Sequence, residues 1–224
     1  QANNGVSCSA LLMSKEIAEH AVDIALQSPA PYLNFEFQGG EPLLNFDIIK
    51  HIVAYAEEHK GKHEISYNIV SNLTLLNDEI LDFMVEHKFG VSTSIDGPEY
   101  VHDQNRPFKN GNGTYQTAVA AIKKIQARGI RVGAIQTTTR TSLKYPRAIV
   151  RAYKELGFES IFIRPLTPLG KATLNWDKIG YTPEEYLAFY REVIDELIQI
   201  NQNERFMKED HSSILISRIE GKFV

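Results

Sequence analysis

Two kinds of hydrophobic pattern alternate along the chain. Short runs rich in aromatic and β-branched residues predict strands, and longer stretches with apolar residues at every third or fourth position predict helices. The predicted strands are Tyr32–Phe37, Glu64–Val70, Val91–Ile95, Arg131–Thr137 and Ser160–Arg164. The predicted helices follow Ser14, cover Ile48–Ala56, follow Asn77, and cover Thr114–Arg128, Ser142–Leu156, Tyr186–Ile200 and Asp210–Ile219.

Helix-capping residues support several of these boundaries. Ser14 and Asn77 each stand before an apolar periodic stretch, where their side chains can accept from free backbone amides. Gly129 and Gly157 follow predicted helices, as expected for residues that end a helix in the left-handed conformation. The string Thr182-Pro183-Glu184-Glu185 combines a cap, a proline and a reciprocal glutamate, and is the clearest helix start in the chain.

Regular alternation of strands and helices predicts an α/β fold with a mainly parallel sheet. The pattern leaves open whether the sheet closes toward a barrel or is an open, doubly wound sheet. In both arrangements ligands bind at the carboxyl ends of the strands. The segments expected at that edge are Gly39–Pro42, Ser71–Asn72, Ser94–Pro98, Thr137–Thr139 and Arg164–Leu166.

Composition narrows the function classes. The 224 residues are 43% hydrophobic and 23% charged, with a formal net charge of -4. This balance gives no electrostatic reason to expect nucleic acid or an anionic membrane as a partner. No apolar run approaches the roughly 20 residues that span a bilayer, and the single cysteine, Cys8, excludes an internal disulfide framework. We therefore expect a cytoplasmic protein.

The segment Gln38-Gly39-Gly40-Glu41-Pro42 is the strongest candidate for chemistry. Two glycines after a strand expected to be mostly buried let a small molecule approach the backbone closely. Glu41 adds a carboxylate beside backbone groups. This combination suits the ammonium of an amino-acid moiety.

Further motifs in the same order along the chain identify a family resemblance. They are Ser71-Asn72, Ser94-Ile95-Asp96-Gly97-Pro98, His102-Asp103-Gln104-Asn105-Arg106 and the glycine-rich stretch before Thr114-Tyr115. Together with the Gln38–Pro42 segment they resemble radical S-adenosylmethionine enzymes of the SPASM-containing, sulfatase-maturase-like branch, from about residue 11 to residue 170. Within that branch the chain is most similar to the maturase of the His-Xaa-Ser peptide-modification system, through Phe35–Gln38 and Ile163–Leu166.

The resemblance implies a partial (β/α)6 barrel, here expected to lack its first strand and to carry extra C-terminal helices. It implies S-adenosylmethionine and a [4Fe-4S] cluster as cofactors. The partners it implies are a peptide or protein substrate and a reductant such as flavodoxin or ferredoxin. The family holds the cluster with Cys-x3-Cys-x2-Cys, whereas this chain has only Cys8. We therefore expect a fragment whose cluster ligands lie outside it, so that on its own it would be inactive.

The same resemblance predicts a domain boundary and a set of cofactor-binding residues. Residues 1–170 are expected to be the truncated core, and residues 171–224 a helical extension toward a C-terminal cluster-binding module. By position in the motifs, the residues expected to bind the cofactor are Gly39, Gly40, Glu41, Pro42, Asn72, Ser94, Arg106 and Leu166. Among these, Glu41 is expected to meet the amino group, Arg106 the carboxylate and Leu166 the adenine. No side chain is predicted to act as an acid–base catalyst.

Structural roles compete with these assignments. Glu41 can simply cap the following turn, Asp96 can organise its own turn, and His102 with Asp103 can be either a catalytic pair or ordinary loop structure. The loop Phe108–Gly113 is a candidate mobile lid.

Two alternative functions remain open. One is a cluster-free barrel that binds a peptide or a nucleotide. The other is an unrelated (β/α) enzyme, although the strand ends lack the lysine and phosphate loop that such enzymes commonly show.

Overall fold

The computed structural model describes residues 12–204 and 206–222; Cys8 lies outside them. The strands are β1 (Tyr32–Phe37), β2 (Glu64–Val70), β3 (Gly90–Ser94), β4 (Val132–Thr137), β5 (Ser160–Arg164) and β6 (Lys208–Glu209). The helices are α1 (Lys15–Leu26), α2 (Phe46–His59), α3 (Asp78–Glu86), α4 (Glu99–Asn105), α5 (Tyr115–Ala127), α6 (Pro146–Glu155), α7 (Lys171–Leu174), α8 (Trp176–Ile179), α9 (Pro183–Asn203) and α10 (Asp210–Ile219). Single 3₁₀ turns cover Pro42–Asn45 and Ser142–Lys144.

The strands form one sheet in which each strand is hydrogen-bonded to the next in chain order. The β1–β2, β2–β3, β4–β5 and β5–β6 pairs are parallel. A doubly wound sheet reverses its strand order at a switch point, whereas a barrel-type sheet keeps the chain order. The order therefore confirms the α/β class and favours the partial barrel over the open sheet.

The capping signals were accurate guides to the helices. The Ser14 and Asn77 side chains accept from Ile17 N and Ile80 N, as expected of N-caps. Thr182 and Glu185 form the complete reciprocal capping box at the start of α9. The five predicted strands are confirmed to within a residue.

The predicted single helix Ser142–Leu156 is wrong in its first turn. A 3₁₀ turn ends at Lys144, and α6 starts only at Pro146. Proline disfavours helical backbone at the residue before it, and Tyr145 accordingly has φ -135° and ψ 41°. Helix α4 and strand β6 had no clear pattern in the sequence. In β6 only two residues pair, too few for a periodicity to show.

Contacts divide the described residues into two compact units. The first comprises the residues up to Ser92 together with Lys123–Arg131. Its core is formed where α1 and α2 cover one face of β1 and β2. The core residues are Ala18, Val22, Ile52 and Ala56, packed against Phe35, Phe37 and Ile65 among others.

The second unit comprises Thr93–Ile122 and the described residues from Val132 onward. Here α6 packs on α9, and Arg151 Nη2 of α6 lies 2.6 Å from Oε1 of the buried Glu196 of α9. The hydroxyl of the fully buried Tyr153 donates to Ile95 O at 2.5 Å, which ties α6 to the end of β3. No helix in the described part of the chain has both the length and the apolar character needed to cross a membrane.

Candidate functional site

The loop after β1, Gly39–Pro42, is called the Glu41 loop below. Gly39 has φ 150°, a conformation strained for other residues, and a side chain there would meet open space. The 3₁₀ turn from Pro42 follows at once. The loop borders a cavity of about 320 Å³ whose lining residues are Leu12, Met13, Phe37–Pro42, Leu44, Asn45, Ile48, Ile49 and Ile52. The cavity and the open space at the side-chain position of Gly39 thus leave room for a ligand beside this loop.

The Glu41 carboxylate joins the ends of β1 and β2. Its Oε1 accepts from Leu43 N at 3.1 Å and from the Ser71 hydroxyl at 2.7 Å. Its Oε2 accepts from Asn72 N at 2.9 Å. A carboxylate has about four acceptor positions, so one remains on Oε2 once all partners among residues 12–204 and 206–222 are counted. Glu41 therefore caps the turn and also has the capacity to accept from one ligand group.

The segment Ser71–Leu73 is held tightly. Asn72 Oδ1 accepts from Thr74 N at 2.9 Å, and Leu73 N donates to Ser71 Oγ at 2.9 Å. Leu73 is buried with φ 61°, the left-handed region that usually favours glycine. Leu73 therefore holds a backbone conformation that glycine adopts more readily, and its burial keeps it there.

In the second unit, the Asp96 network consists of Asp96, His102, Asn105, Arg106 and Thr137. Asp96 is 1% exposed. Its Oδ2 accepts from Arg106 Nε at 2.8 Å and from Asn105 Nδ2 at 3.1 Å. Its Oδ1 accepts from Arg106 Nη2 at 3.1 Å and from Thr137 N at 3.0 Å. The predicted role of Asp96 in organising its own turn is wrong, because the partners of its carboxylate lie on Asn105, Arg106 and Thr137 and not in that turn. Its main partner is the bidentate Arg106 guanidinium.

Arg106 was predicted to pair with a cofactor carboxylate. Its Nε and Nη2 are engaged by Asp96, and Nη2 also donates to Thr137 Oγ1 at 3.2 Å. Within the described residues no hydrogen bond engages Nη1, and the side chain is 32% exposed. The internal ion pair therefore leaves one edge of the guanidinium open to a ligand, and the pairing with a cofactor stays a prediction.

His102 is buried within this network. Its Nδ1 accepts from Asp96 N at 3.3 Å, and its Nε2 lies 3.0 Å from Thr114 Oγ1, which itself donates to Arg106 O at 2.6 Å. This pattern assigns the neutral ring with its proton on Nε2. Burial lowers the His102 pKa, with Asp96 opposing the shift and Arg106 adding to it.

Asp103 has a different role from its neighbour. Its Oδ1 accepts from Tyr115 N at 2.8 Å, at the start of α5, and a β-carbon at Gly113 would collide with the carboxylate. The two side chains act on separate partners. Both residues lie in helix α4 and not in a loop, and they do not form a hydrogen-bonded catalytic pair.

The other two predicted cofactor residues lie at strand ends in the second unit. Ser94 is the last residue of β3 and is half-buried. Leu166 follows β5, is half-buried, and donates from its backbone N to the Tyr181 oxygen at 2.6 Å. Their roles toward a cofactor stay predictions.

Sequence reasoning did not assign Ser71 to Glu41 or Asp96 to Arg106. Glu41 and Ser71 lie in strand-end segments that were expected to meet, which was the signal for their contact. Arg106 lies outside those segments, so no such signal pointed to its pair with Asp96. The described residues contain no group of three or more His, Cys, Asp or Glu side chains placed to hold a metal ion. With one cysteine in the sequence, this chain does not supply the three thiolates of a [4Fe-4S] site.

Comparisons with known proteins agree with this architecture. The radical SAM superfamily model matches residues 10–143. An uncharacterised protein of Methanocaldococcus jannaschii is 32% identical over 162 residues, which cover 72% of this chain and 56% of that protein. A cysteine-type anaerobic sulfatase-maturating enzyme of Clostridium perfringens is 28% identical over 189 residues, which cover 82% of this chain and 50% of the enzyme.

A solved structure shares the fold. Native anSMEcpe with bound AdoMet and Kp18Cys peptide superimposes with a TM-score of 0.84 at 23% identity, covering 94% of this chain and 59% of that one. The chain belongs to the radical SAM superfamily. It spans about half the length of the curated relatives it matches.

Proposed function

We propose that this chain is the S-adenosylmethionine-binding core of a radical enzyme that modifies a peptide or protein. The observation that carries the proposal is the Glu41 loop. A glycine with open space at its side-chain position, a cavity, and a carboxylate with one acceptor position that the described residues leave unused occur together there. These groups suit the ammonium and backbone of the methionine moiety.

Charge supports Glu41 as the group that meets the ammonium. Among residues 12–204 and 206–222, no ion pair engages the Glu41 carboxylate, and its three donors are two backbone amides and a hydroxyl. A cationic ligand group would therefore find a negative charge that no side-chain cation of the described protein neutralises. Ser71 and Asn72 N hold that carboxylate in place, which reduces the ordering needed on binding.

The remaining assignments extend the same proposal. Pro42 shapes the turn, Asn72 follows β2, and Ser94 ends β3. Leu166 offers an apolar contact for adenine, and Arg106 offers Nη1 to the carboxylate of the cofactor. When bound, the cofactor would supply the 5′-deoxyadenosyl group for hydrogen abstraction from the substrate. The protein residues bind, orient and exclude water. We assign no step to an iron–sulfur cluster, because this chain lacks its ligands.

The names of relatives guide the choice of substrate class. Several are sulfatase-maturating enzymes, which suggests a protein or peptide substrate for the complete protein here. The finer likeness to the His-Xaa-Ser maturase, the reductant and the cytoplasmic location remain predictions.

The test uses the full-length native gene product, reconstituted with iron and sulfide without oxygen. S-adenosylmethionine affinity is measured by calorimetry, and release of 5′-deoxyadenosine is measured under a strong reductant. Glu41→Ala is expected to weaken binding by about 10- to 100-fold, as for a lost charge-assisted hydrogen bond. Glu58→Ala, an exposed carboxylate of α2, is the matched control and should leave affinity unchanged.

Two results would change the proposal. Unaltered affinity in Glu41→Ala, with an intact fold, would remove Glu41 from the cofactor site. Cofactor binding without 5′-deoxyadenosine release from iron-loaded protein would favour the cluster-free binding module.

A further inference from the structure

The sheet of the first unit has two unlike faces. Along β1 and β2, one set of alternate residues packs on α1 and α2 and is apolar, including Phe35, Phe37 and Ile65. The opposite set forms the polar strand face, defined here as Asn34, Glu36, Ser66 and Asn68. In the register of the two strands, Asn34 lies beside Ser66, and Glu36 lies beside Asn68.

A polar face on parallel strands needs an explanation. Parallel sheets are usually covered on both sides, and their strands then read as continuous apolar runs. Here Asn34, Glu36 and Ser66 are exposed and Asn68 is half-buried. The polar strand face therefore meets water or a polar ligand and not a packed layer of the described chain.

The side chains of the polar strand face are already ordered by one another. Asn34 Oδ1 accepts from Asn68 Nδ2 at 2.5 Å and from Ser66 Oγ at 3.0 Å. Among the described residues, no hydrogen bond engages Asn34 Nδ2 or Asn68 Oδ1. A donor on Asn34 and an acceptor on Asn68, which are joined by the Asn68 Nδ2 bond to Asn34 Oδ1, therefore remain for a ligand in the part of the chain that the structure describes. This pair is complementary to the C=O and N–H of a peptide backbone.

Gly90 on β3 makes room for this arrangement. It lies beside Asn68 in the β2–β3 register, and a β-carbon at Gly90 would overlap Asn68 Oδ1. The absence of a side chain at residue 90 thus permits the observed position of the acceptor. An alanine there would displace the carboxamide.

The charges on this face of the sheet indicate what charge a bound peptide would carry. Glu36 and Glu64 are the charged residues at the outward-facing positions of β1 and β2, and no lysine, arginine or histidine occupies those positions. Glu36 lies near the strand end that leads into the Glu41 loop and accepts from Gln38 Nε2. A cationic side chain or amino terminus complements this surface.

We propose that the polar strand face is a binding subsite for an extended, cationic segment of the substrate peptide. Asn34 and Asn68 hydrogen-bond a backbone amide of that segment, and Glu36 meets its positive charge. This inference rests on the proposed function, because it names the substrate class that would approach the Glu41 loop.

The test selects a random dodecapeptide library against the full-length native protein in the presence of S-adenosylmethionine. Dissociation constants of the recovered synthetic peptides are then measured by fluorescence polarisation. Asn68→Ala and Gly90→Ala are each expected to weaken binding about tenfold, as for one lost hydrogen bond. Glu36→Gln should weaken the binding only of peptides that contain lysine or arginine. Asn203→Ala, on α9, is the matched control.

The outcomes separate this inference from the proposed function. Equal affinity for wild type and variants, or a selection that recovers no binding peptide, would overturn the subsite. Thermal unfolding checks each variant, and Asn68→Ala decides the matter if Gly90→Ala does not fold. Cofactor affinity should stay constant in all of them. Suppose that the wild-type protein binds peptides as expected but does not bind S-adenosylmethionine. That result would contradict the proposed function and still support the peptide subsite.

Discussion

The Glu41 loop and the Asp96 network each hold a carboxylate near a strand end, but the two carboxylates differ in burial and in charge pairing. Each follows a strand closely, stands just before a proline turn, and accepts a backbone amide from the end of the next strand, Asn72 N or Thr137 N. Asp96 is buried and paired with Arg106. Glu41 borders a cavity and, among the described residues, has no cationic partner.

This difference separates a structural charge from an available one. A buried charge is stable only when it is paired and hydrogen-bonded, and Arg106 provides that pairing for Asp96. Glu41 is partly exposed, so water screens its charge until a ligand arrives. The same residue chemistry at two strand ends therefore stabilises the fold in one place and offers a binding group in the other.

The largest expected effect is the difference in stability between two single variants, each of which removes one of these carboxylates. Asp96→Ala leaves Arg106 and Thr137 N without their partner and should lower the free energy of unfolding by about 3 kcal/mol. Glu41→Ala should cost only about 1–2 kcal/mol, because it loses hydrogen bonds but leaves no cation behind. Urea denaturation of both variants measures this. Equal losses would mean that the two sites do not differ in the way described.

Leu73 tests how much of the Glu41 loop is held by packing. Leu73→Gly relieves about 1 kcal/mol of left-handed backbone strain but removes a buried side chain whose loss costs about 2–5 kcal/mol. We expect a net destabilisation of about 2 kcal/mol by denaturant titration. A stabilised variant would show that the strain, and not the packing of leucine, dominates at this position.

Arg106 tests whether the Asp96 network also reaches the cofactor. Arg106→Gln should weaken S-adenosylmethionine binding about tenfold through loss of Nη1. The same substitution should weaken the binding of decarboxylated S-adenosylmethionine much less, since that ligand lacks the carboxylate that Arg106 is proposed to meet. Calorimetry with both ligands distinguishes the outcomes: an equal loss for the two would assign Arg106 a purely structural role.

The smallest expected effect is a pH dependence from His102. Burial lowers its pKa below the value of about 6.5 for the unfolded chain. Between the folded and unfolded pKa values the unfolded chain binds more protons, so stability should fall as pH drops below about 6.5. Thermal unfolding from pH 8 to pH 5 checks this. His102→Gln should flatten the profile in that window, and an unchanged slope would place its origin elsewhere.

Local signals predicted most of the fold. Ser14, Asn77 and Thr182 identify helix starts because a cap bonds amides only three residues away. Pro146 sets the start of α6, which the predicted helix placed too early, and its effect on the backbone of Tyr145 is equally local. By contrast β6 depends on pairing with β5 across nearly fifty residues, and its two residues carry no periodicity of their own.

The candidate site also combines features that the local sequence predicts with features that depend on tertiary contacts. The sequence by itself determined the α/β alternation, the glycine-carboxylate loop and the strand-end segments, because residue type and spacing act over a few positions. Only the tertiary structure decided the chain-order sheet, the Ser71 bond to Glu41, the Asp96–Arg106 pair and the Asn34–Asn68 contact. Those choices depend on which strands become neighbours, and hydrogen-bond partners ten to thirty-four residues apart are selected only when the sheet brings them together.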